Sequence, residues 1–334
     1  MKKNKLICKV YRGSSVESIH RVQAYVISDN NKTIFQTDET NVPVCVRSTL
    51  KPFQLAAGLK AGLAKKYNFT MEEIAFMSSS HNGEEVHTNI AKKMLEKFNI
   101  FENEIRCGTH PPYDKQTRKK IIENKTSPTC LHNNCSGKHI FMILLKRFLE
   151  NQEQQYEKLD NEVQQKILEY IKMLVQKNPD SIGIDGCSAP TPFYPLKTIS
   201  QLFYELAKQD REELKTIYKA ISANPYILAG KNRFDTEFIK TMSTKAITKV
   251  GGEAVRGIAI RDGGRTIGIA LKVEDGNQRA CGPAALHLMK HLDLINNKNL
   301  KTLQNHFKPS ICNHNKIETG IIKCQIVEEK NKNK

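Results

Sequence analysis

The sequence lacks a hydrophobic run of the length that a membrane span requires, and it lacks the core of a secretion signal. After the opening "MKKNK" the apolar stretch "LICKVY" is short and is interrupted by Lys9. A membrane-spanning helix needs about 20 mostly apolar residues, and no stretch approaches that length. We therefore expect a cytoplasmic protein that has no membrane partner.

The chain also lacks the closely paired cysteines of a disulfide framework. Its nine cysteines are an odd number and are scattered along the sequence. Such a distribution is typical of reduced thiols inside cells rather than of a small secreted scaffold. We expect the cysteines other than Cys135 and Cys187 to be core or surface thiols.

Acidic residues are few relative to basic ones, yet no long basic block and no RNA-binding signature accompany the imbalance. The chain has 52 Lys and Arg against 35 Asp and Glu, a formal net charge of +17. The lysines are spread along the chain, often beside Asn, whereas nucleic-acid-binding proteins concentrate them on one face. We interpret the excess as solvated surface and expect no nucleic-acid partner.

The hydrophobic pattern places strands at both ends of the chain and helices between them. Alternating or continuous apolar segments predict strands within residues 6–37 and 247–328, with a hairpin turn at Asp262 to Arg265. Helical periodicity dominates residues 84–245. We predict an α+β fold in which the first and last strands share one antiparallel sheet packed with helices. A single domain would span residues 1–334, with frayed Asn/Lys-rich ends.

Three local predictions refine this plan. A helix begins near Pro52, because proline is favoured in a first turn. The Pro-rich "CSAPTPFYPL" is expected to be a loop. The last helix is expected from about Pro283 to Asn296.

A serine stands one helical turn before a lysine at the start of the first predicted helix, in "RSTLKPFQ". A neutral Lys51 can take the proton of Ser48 if burial and nearby cations lower the pKa of its amine. Alternatively, Ser48 or Thr49 is a helix cap and Lys51 is a solvated first-turn residue. The S-x-x-K pattern alone does not separate these interpretations.

Two further motifs favour the catalytic interpretation. Ser80-His81-Asn82 fits S-x-N, and Lys249-Val250-Gly251 fits K-x-G at the expected start of a strand. The three elements recur in this order in serine β-lactamases and penicillin-binding proteins, where two Ser/Lys pairs move protons around an acyl-enzyme. The pattern predicts catalytic roles for Ser48, Lys51, Ser80 and Lys249.

A third group contains Cys135, Lys138 and His139 at a predicted helix start, together with Cys187 in a Gly- and Pro-flanked segment. A helix N-terminus lowers a thiol pKa, and two thiolates with a nitrogen donor suit zinc. From the residues alone, a nucleophilic cysteine, a zinc ligand and a buried thiol all stay open, with the buried thiol slightly favoured.

These segments together resemble one family. "VYRGSSVESIHR", "RSTLKPFQ", "SSSHNGEEVH", "NNCSGKH", "GIDGCSAPTPFYPL", "RFDTEFI" and "LKVEDGNQRA" are similar to the asparaginase II family typified by the thermolabile rhizobial, or class 3, L-asparaginase. The match is collinear from about Val10 to Ala280. The resemblance implies a serine β-lactamase/glutaminase-like fold, hydrolysis of L-asparagine to L-aspartate and ammonia, and a homodimer.

The resemblance also implies roles for single residues. Ser48 and Lys51 match the first Ser-Lys pair and Ser80 the second serine; Lys249 is the preferred second lysine and Lys272 its alternative. Zinc is the implied cofactor, and its implied ligands are Cys135, Lys138 and Cys187. Asp185 and His139 are implied to lie beside these ligands. A lysine that binds zinc must be neutral.

Some positions depart from the family pattern or stay ambiguous. This chain has Ser188-Ala189 and Glu253-Ala254 where relatives often have Gly-Val and Glu-Gly. In "RFDT", Arg233 can clamp a substrate carboxylate. The favoured alternative makes it a structural partner near a helix capped by Asp235.

Other functions are weighed against an asparaginase. A penicillin-recognising serine hydrolase is disfavoured by the missing secretion signal, whereas a related amidase or glutaminase stays open. A catalytically inactive zinc- or amino-acid-binding sensor is disfavoured by the intact S-x-x-K, S-x-N and K-x-G elements. The sequence therefore favours an L-asparaginase that acts through a Ser-Lys acyl-enzyme.

Overall fold

A computed structural model describes residues 3–38, 40–153 and 155–329. The described residues form two compact units. The first comprises the chain up to Thr49, Tyr194–Lys208 and the chain from Glu237 onward; the second comprises Leu50–Phe193 and Gln209–Thr236. The single domain over residues 1–334 and the fraying of its ends extend beyond the described residues and stay predictions.

The strands and helices of the described residues follow in chain order. The strands are β1 Lys3–Arg12, β2 Ser15–Ser28, β3 Lys32–Gln36, β4 Val44–Cys45, β5 Ser181–Ile184, β6 Pro190–Tyr194, β7 Ala246–Gly251, β8 Val255–Asp262, β9 Arg265–Val273, β10 Ser310–Cys312 and β11 Glu318–Glu329. The α-helices are α1 Lys51–Ala61, α2 Leu63–Tyr67, α3 Met71–Met77, α4 Glu85–Lys97, α5 Lys115–Glu123, α6 Ser136–Phe148, α7 Glu162–Val175, α8 Leu196–Lys208, α9 Glu212–Ala223, α10 Pro225–Leu228, α11 Phe234–Met242, α12 Gln278–His291, α13 Asn297–Thr302 and α14 Gln304–Phe307. Among the described residues no helix is both long and apolar enough to cross a membrane.

The first unit is built on an antiparallel sheet. Its order is β10-β11-β1-β2-β9-β8-β7, with β3 paired to β2. The first and last strands therefore share one sheet, as the sequence predicts, and Cys8 stands directly opposite Cys324 in the β1–β11 register. The α+β class is confirmed.

The pair Cys8 and Cys324 corrects the expectation of unpaired thiols at these two positions. The structure joins them in a disulfide across a sequence separation of 316 residues. Among the described residues the other seven cysteines form no disulfide. Spacing along the chain gives no sign of this bond, because the sheet alone brings the two residues together.

Helices of the first unit cover the sheet closely. Helix α8 packs on β8, β9 and β2, and α12 packs on β11, β1 and β9. A Cβ on Gly257 would collide with the Phe203 ring of α8, so glycine is what permits the close approach of helix to strand. The first six residues of β8 are buried without interruption, as expected where both faces of a sheet are covered.

The second unit is mainly helical, with α1 at its centre. Lys51 and every residue from Pro52 to Leu59 are buried, and α1 packs against α6, α7 and α9. A Cβ on Gly58 would lie 2.5 Å from the ring of Phe141, which sets how closely α1 and α6 approach. This packing fixes the N-terminus of α1, where Lys51 stands.

Two element predictions are wrong. The Pro-rich "CSAPTPFYPL" contains strand β6, which pairs with β5 in the register Gly183↔Thr191. Pro190 and Pro192 alternate along the strand, so their missing N–H groups fall on one edge and Thr191 stays able to pair. The last long helix spans Gln278–His291 with Pro283 inside it. It begins earlier because the Asn277 side chain caps it by accepting from the Arg279 N–H.

Candidate active site

Lys51 is the first residue of α1 and is almost completely buried, with 1% of its surface exposed. Its Nζ donates to the carbonyl oxygens of Ser79 at 2.6 Å and Asn134 at 2.9 Å, and to the Ser80 hydroxyl at 3.1 Å. Burial lowers the pKa of the Lys51 amine, although the thiol group of Cys135 opposes the shift. The amine is therefore held beside a hydroxyl and is easier to deprotonate than an exposed lysine.

Ser80 lies in the segment that follows α3. Its backbone N–H donates to the Leu228 carbonyl at 2.9 Å, which fixes the segment. A Cβ on Gly137 would collide with the Phe76 carbonyl, so this glycine lets the first turn of α6 approach the end of α3. The sequence thereby brings the S-x-N segment and the "NNCSGKH" segment together.

His81 and Asn82 complete the S-x-N segment as structural side chains. The Gly83 N–H donates to His81 Nδ1 at 3.0 Å, so Nε2 carries the proton toward the Ser136 hydroxyl, 3.0 Å away. Burial lowers the pKa of His81 well below its usual value, which agrees with a neutral ring. Asn82 is buried and donates through Nδ2 to Glu84 and to the Lys231 carbonyl, both at 3.1 Å.

Ser48 lies in a short 3₁₀ helix, Arg47–Leu50, that leads directly into α1. Arg47, the residue before Ser48, has φ of +48°. A left-handed conformation costs a non-glycine residue free energy and is often found where a functional side chain is presented. Ser48 is half-buried, as a presented nucleophile would be.

Strand β7 brings the K-x-G motif to the Ser48 turn within the first unit. A Cβ on Gly251 would lie 2.5 Å from the Thr49 hydroxyl and 2.8 Å from the Val46 carbonyl. Glycine is therefore required for this approach. The motif ends its strand instead of beginning it, which corrects the sequence-based prediction, because β7 starts at Ala246.

The two candidate second lysines differ in their surroundings. Lys249 is 1% exposed and its Nζ donates to the Val250 carbonyl at 2.7 Å. Lys272 is partly exposed and its Nζ donates to the carbonyls of Glu253, at 2.6 Å, and Val273. Lys249 shares its strand with the glycine that contacts the Ser48 turn, which favours Lys249.

A buried cluster of thiols lies in the second unit. The ligand atoms of Cys135, Asp185 and Cys187 lie within 4.8 Å of one another, and Lys138 Nζ lies 2.8 Å from Cys187 Sγ. A hydrogen bond from Cys135 lowers the pKa of Cys187 to about 5 and raises the pKa of Cys135 to about 12. Two sulfurs with an amine or a carboxylate form a donor set that fits zinc. Both Lys138 and Asp185 are placed to complete it.

His139 follows Lys138 in the sequence and is buried, but its ring bonds to Tyr156 and not to the thiol cluster. Its Nδ1 lies 2.9 Å from the Tyr156 hydroxyl, and burial lowers its pKa to about 3. Its Nε2 has no hydrogen-bond partner among the described residues. It is not one of the three residues whose ligand atoms cluster.

Sequence reasoning missed the contribution of Asn134 and the side chain of Tyr113. Asn134 receives a hydrogen bond from Lys51 through its backbone carbonyl, and its Nδ2 donates to the Tyr113 hydroxyl at 3.2 Å. A backbone carbonyl leaves no signature in a sequence. The only signal was the position of Asn134 inside "NNCSGKH".

Comparisons with solved structures find distant likenesses. A Bacteroides dorei DSM 17855 protein described as a β-lactamase matches at 10% identity with TM-score 0.42, over 86% of this chain and 94% of that one. A β-lactamase from Desulfarculus baarsii DSM 2075 matches at 10% identity with TM-score 0.34, over 77% and 85%. A structure titled Mglu matches at 11% identity with TM-score 0.35, over 82% and 67%. At such scores the likeness does not define the fold family, so a serine β-lactamase/glutaminase-like fold stays a prediction.

No curated protein compared with the chain matches it. A family model gives the decisive result, because the model for L-asparaginase II matches residues 8–324. That range includes all the candidate residues described above and covers most of the 334 residues. The chain belongs to the L-asparaginase II family.

Proposed function

We propose that the protein hydrolyses the side-chain amide of L-asparagine to L-aspartate and ammonia through an acyl-enzyme on Ser48. The observation that supports this reaction is the family match over residues 8–324. The buried Lys51 amine, bonded to the Ser80 hydroxyl at 3.1 Å, supports the serine-lysine chemistry.

In the proposed first step the Ser48 hydroxyl oxygen attacks the carboxamide carbon, and neutral Lys51 accepts the hydroxyl proton. Burial of Lys51 supports this role, because it disfavours the charged amine. The tetrahedral intermediate then collapses to an ester on Ser48. The amide nitrogen leaves as ammonia after it receives a proton.

Ser80 and a second lysine would deliver that proton. Lys51 Nζ donates to Ser80 Oγ, so a proton on Lys51 already has a hydroxyl beside it to pass through. Lys249 is the proposed second lysine. Water then attacks the ester, releases aspartate and returns the proton to Ser48, which closes the cycle.

Zinc is the proposed cofactor, held by Cys135 and Cys187 with Lys138 or Asp185. When bound, it would supply a positive charge that positions and polarises the substrate. The chain's own contribution is to bury the two sulfurs, at 4% and 3% exposure, and to hold Asp185 beside them through the Gly186 N–H at 2.9 Å. His139 is proposed to support this region by packing against Tyr156.

The class 3 subtype and a homodimer are proposed from the resemblance to the class 3 rhizobial type. A cytoplasmic location is also proposed, from the odd number and scattered positions of the nine cysteines. Light scattering coupled to size exclusion tests the dimer.

Ammonia release from L-asparagine, with L-glutamine and nitrocefin as parallel substrates, tests the function. We expect rapid release from L-asparagine and no hydrolysis of nitrocefin. Preference for L-glutamine would make the protein a glutaminase. Turnover of nitrocefin alone would make it a penicillin-recognising hydrolase, and no turnover of any substrate would favour an amino-acid or zinc sensor.

A further inference from the structure

We propose that Arg233 binds the α-carboxylate of L-asparagine. The inference rests on the proposed function and adds a residue that determines substrate specificity. Three observations support it: how Arg233 is held, the absence of an acidic partner among the residues that the structure describes, and the connections of Arg233 to Lys51 and Ser80.

Arg233 is held in place by a buried amide and an aromatic ring. Its Nη1 donates to Asn82 Oδ1 at 3.0 Å, and its guanidinium carbon lies 5.8 Å from the centre of the Tyr113 ring. Asn82 cannot turn away, because its Nδ2 donates to Glu84 and to the Lys231 carbonyl. The guanidinium group is therefore pre-oriented, which reduces the entropy lost when a ligand binds.

No carboxylate among the described residues pairs with Arg233. Glu84 shares the partner Asn82 with Arg233, and its oxygens already accept from the Lys231 N–H at 2.8 Å, from Asn82 Nδ2 and from the Tyr226 hydroxyl. A guanidinium group has five N–H donors. Most of these donors and the full positive charge stay available on a half-buried side chain.

Two chains of contacts connect Arg233 to the catalytic lysine within the second unit. Asn82, its direct partner, stands two residues after Ser80, whose hydroxyl accepts from Lys51. Tyr113, whose ring lies beside the guanidinium, accepts from Asn134, whose carbonyl also accepts from Lys51. Arg233 and Lys51 therefore belong to one group of residues connected through side chains, the Asn134 carbonyl and the Ser80–Asn82 backbone.

A small anion is the ligand that fits an oriented guanidinium group that has no acidic partner among the described residues and is connected to Lys51 and Ser80. Planar carboxylates accept two parallel N–H bonds from arginine. L-asparagine has one carboxylate, at the opposite end of the molecule from the amide that is cleaved. Arg233 would hold that end while the amide reacts.

The test compares L-asparagine with β-alaninamide, which is the same molecule without the α-carboxylate. Steady-state kcat and KM are measured for wild type, Arg233→Met and Arg233→Lys, with Lys231→Met as the matched control. Lys231→Met removes the same charge two residues away, from an exposed side chain. Calorimetric titration with L-aspartate measures carboxylate binding without turnover.

We expect Arg233→Met to lower kcat/KM for L-asparagine by roughly 10- to 100-fold, mainly through KM, the usual loss for a charged hydrogen bond. β-Alaninamide should be a poor substrate for wild type, and its kcat/KM should be nearly unchanged in the variant. The kcat/KM of Arg233→Lys for L-asparagine should lie between those of wild type and Arg233→Met, because lysine keeps the charge and loses the paired donors. Lys231→Met should behave like wild type.

Equal losses for both substrates, or unchanged binding of L-aspartate to Arg233→Met, would overturn the role of Arg233. If Arg233→Met does not fold, Arg233→Lys carries the same comparison. Equal kcat/KM of wild type for the two substrates would overturn the role without any variant. Wild type that releases no ammonia from L-asparagine would instead overturn the proposed function, so the two failures are distinguishable.

Discussion

The ε-amino group of Lys51 donates a hydrogen bond to the hydroxyl of Ser80 across 29 positions of sequence. The lysine of the S-x-x-K motif and the serine of the S-x-N motif thus meet directly. One buried amine has a hydroxyl beside it through which a proton can pass.

Ser48→Ala and Lys51→Met are each expected to abolish measurable turnover while the protein stays folded. Nucleophile and base act as one unit, so the double variant should be no slower than either single variant. Initial rates of ammonia release measure this, with circular dichroism as the control for folding. A double variant far slower than both single variants would contradict the pairing.

Ser80→Ala is expected to slow turnover by roughly 10²- to 10⁴-fold, the usual effect of losing a proton-transfer group. The matched control is Ser79→Ala. The Ser79 side chain is also buried and its hydroxyl has no partner among the described residues, whereas Lys51 contacts only its backbone carbonyl. A similar loss in both variants would assign the effect to packing.

Activity should rise with pH over roughly 7 to 9, because only neutral Lys51 can accept the Ser48 proton. Burial lowers the pKa of Lys51, so the neutral form should appear below the pH at which an exposed lysine loses its proton. The pH dependence of kcat/KM measures this. A rate that is flat from about pH 5 to 9 would exclude a neutral lysine base.

Cys187→Ser is expected to remove bound zinc and to raise KM while some turnover persists, because Ser48 performs the attack. Elemental analysis of protein purified without chelator measures the metal. The exposed thiol of Cys312 provides the control variant Cys312→Ser. Complete loss of activity in Cys187→Ser, together with inactivation of metal-free protein by iodoacetamide at that residue, would make Cys187 the nucleophile.

Stability should fall as the pH drops below about 6.5, the ordinary pKa of histidine. Burial lowers the pKa of both His81 and His87, whose rings stack 4.9 Å apart. Both are neutral in the folded protein at a pH where the unfolded chain binds protons, so acid favours unfolding. Melting temperatures from pH 8 to 5 measure this. His81→Gln should weaken the dependence, and an unchanged slope would contradict it.

Ala254→Gly is expected to stabilise the protein by about 0.5–1 kcal/mol, because Ala254 has φ of +56°, where a Cβ is unfavourable. Ser188→Gly, at φ of +73°, should act in the same direction. The resemblance implies that relatives often have glycine at these same two positions. Chemical denaturation measures the gain, and Ala259→Gly in β8 is the control that should destabilise.

The sequence predicted the parts of this protein that depend on local pattern. Neighbouring residues are enough to predict the S-x-x-K, S-x-N and K-x-G motifs, the helix start after Cys135 and the hairpin at Asp262. Contacts made by backbone groups are not, which is why the Asn134 carbonyl was missed. Long-range pairs such as Cys8 and Cys324 depend on strand register, which no local pattern specifies.

The disulfide between Cys8 on β1 and Cys324 on β11 closes the chain between these two residues into a covalent ring. Such a ring can be cut at one other position while the contacts between its strands are kept. The Gly263-Gly264 turn between β8 and β9 has open space around both glycines, as expected of a site that tolerates new ends. A circular permutant cut there, with a short linker between the original ends, should keep its sheet and remain covalently continuous through the old termini.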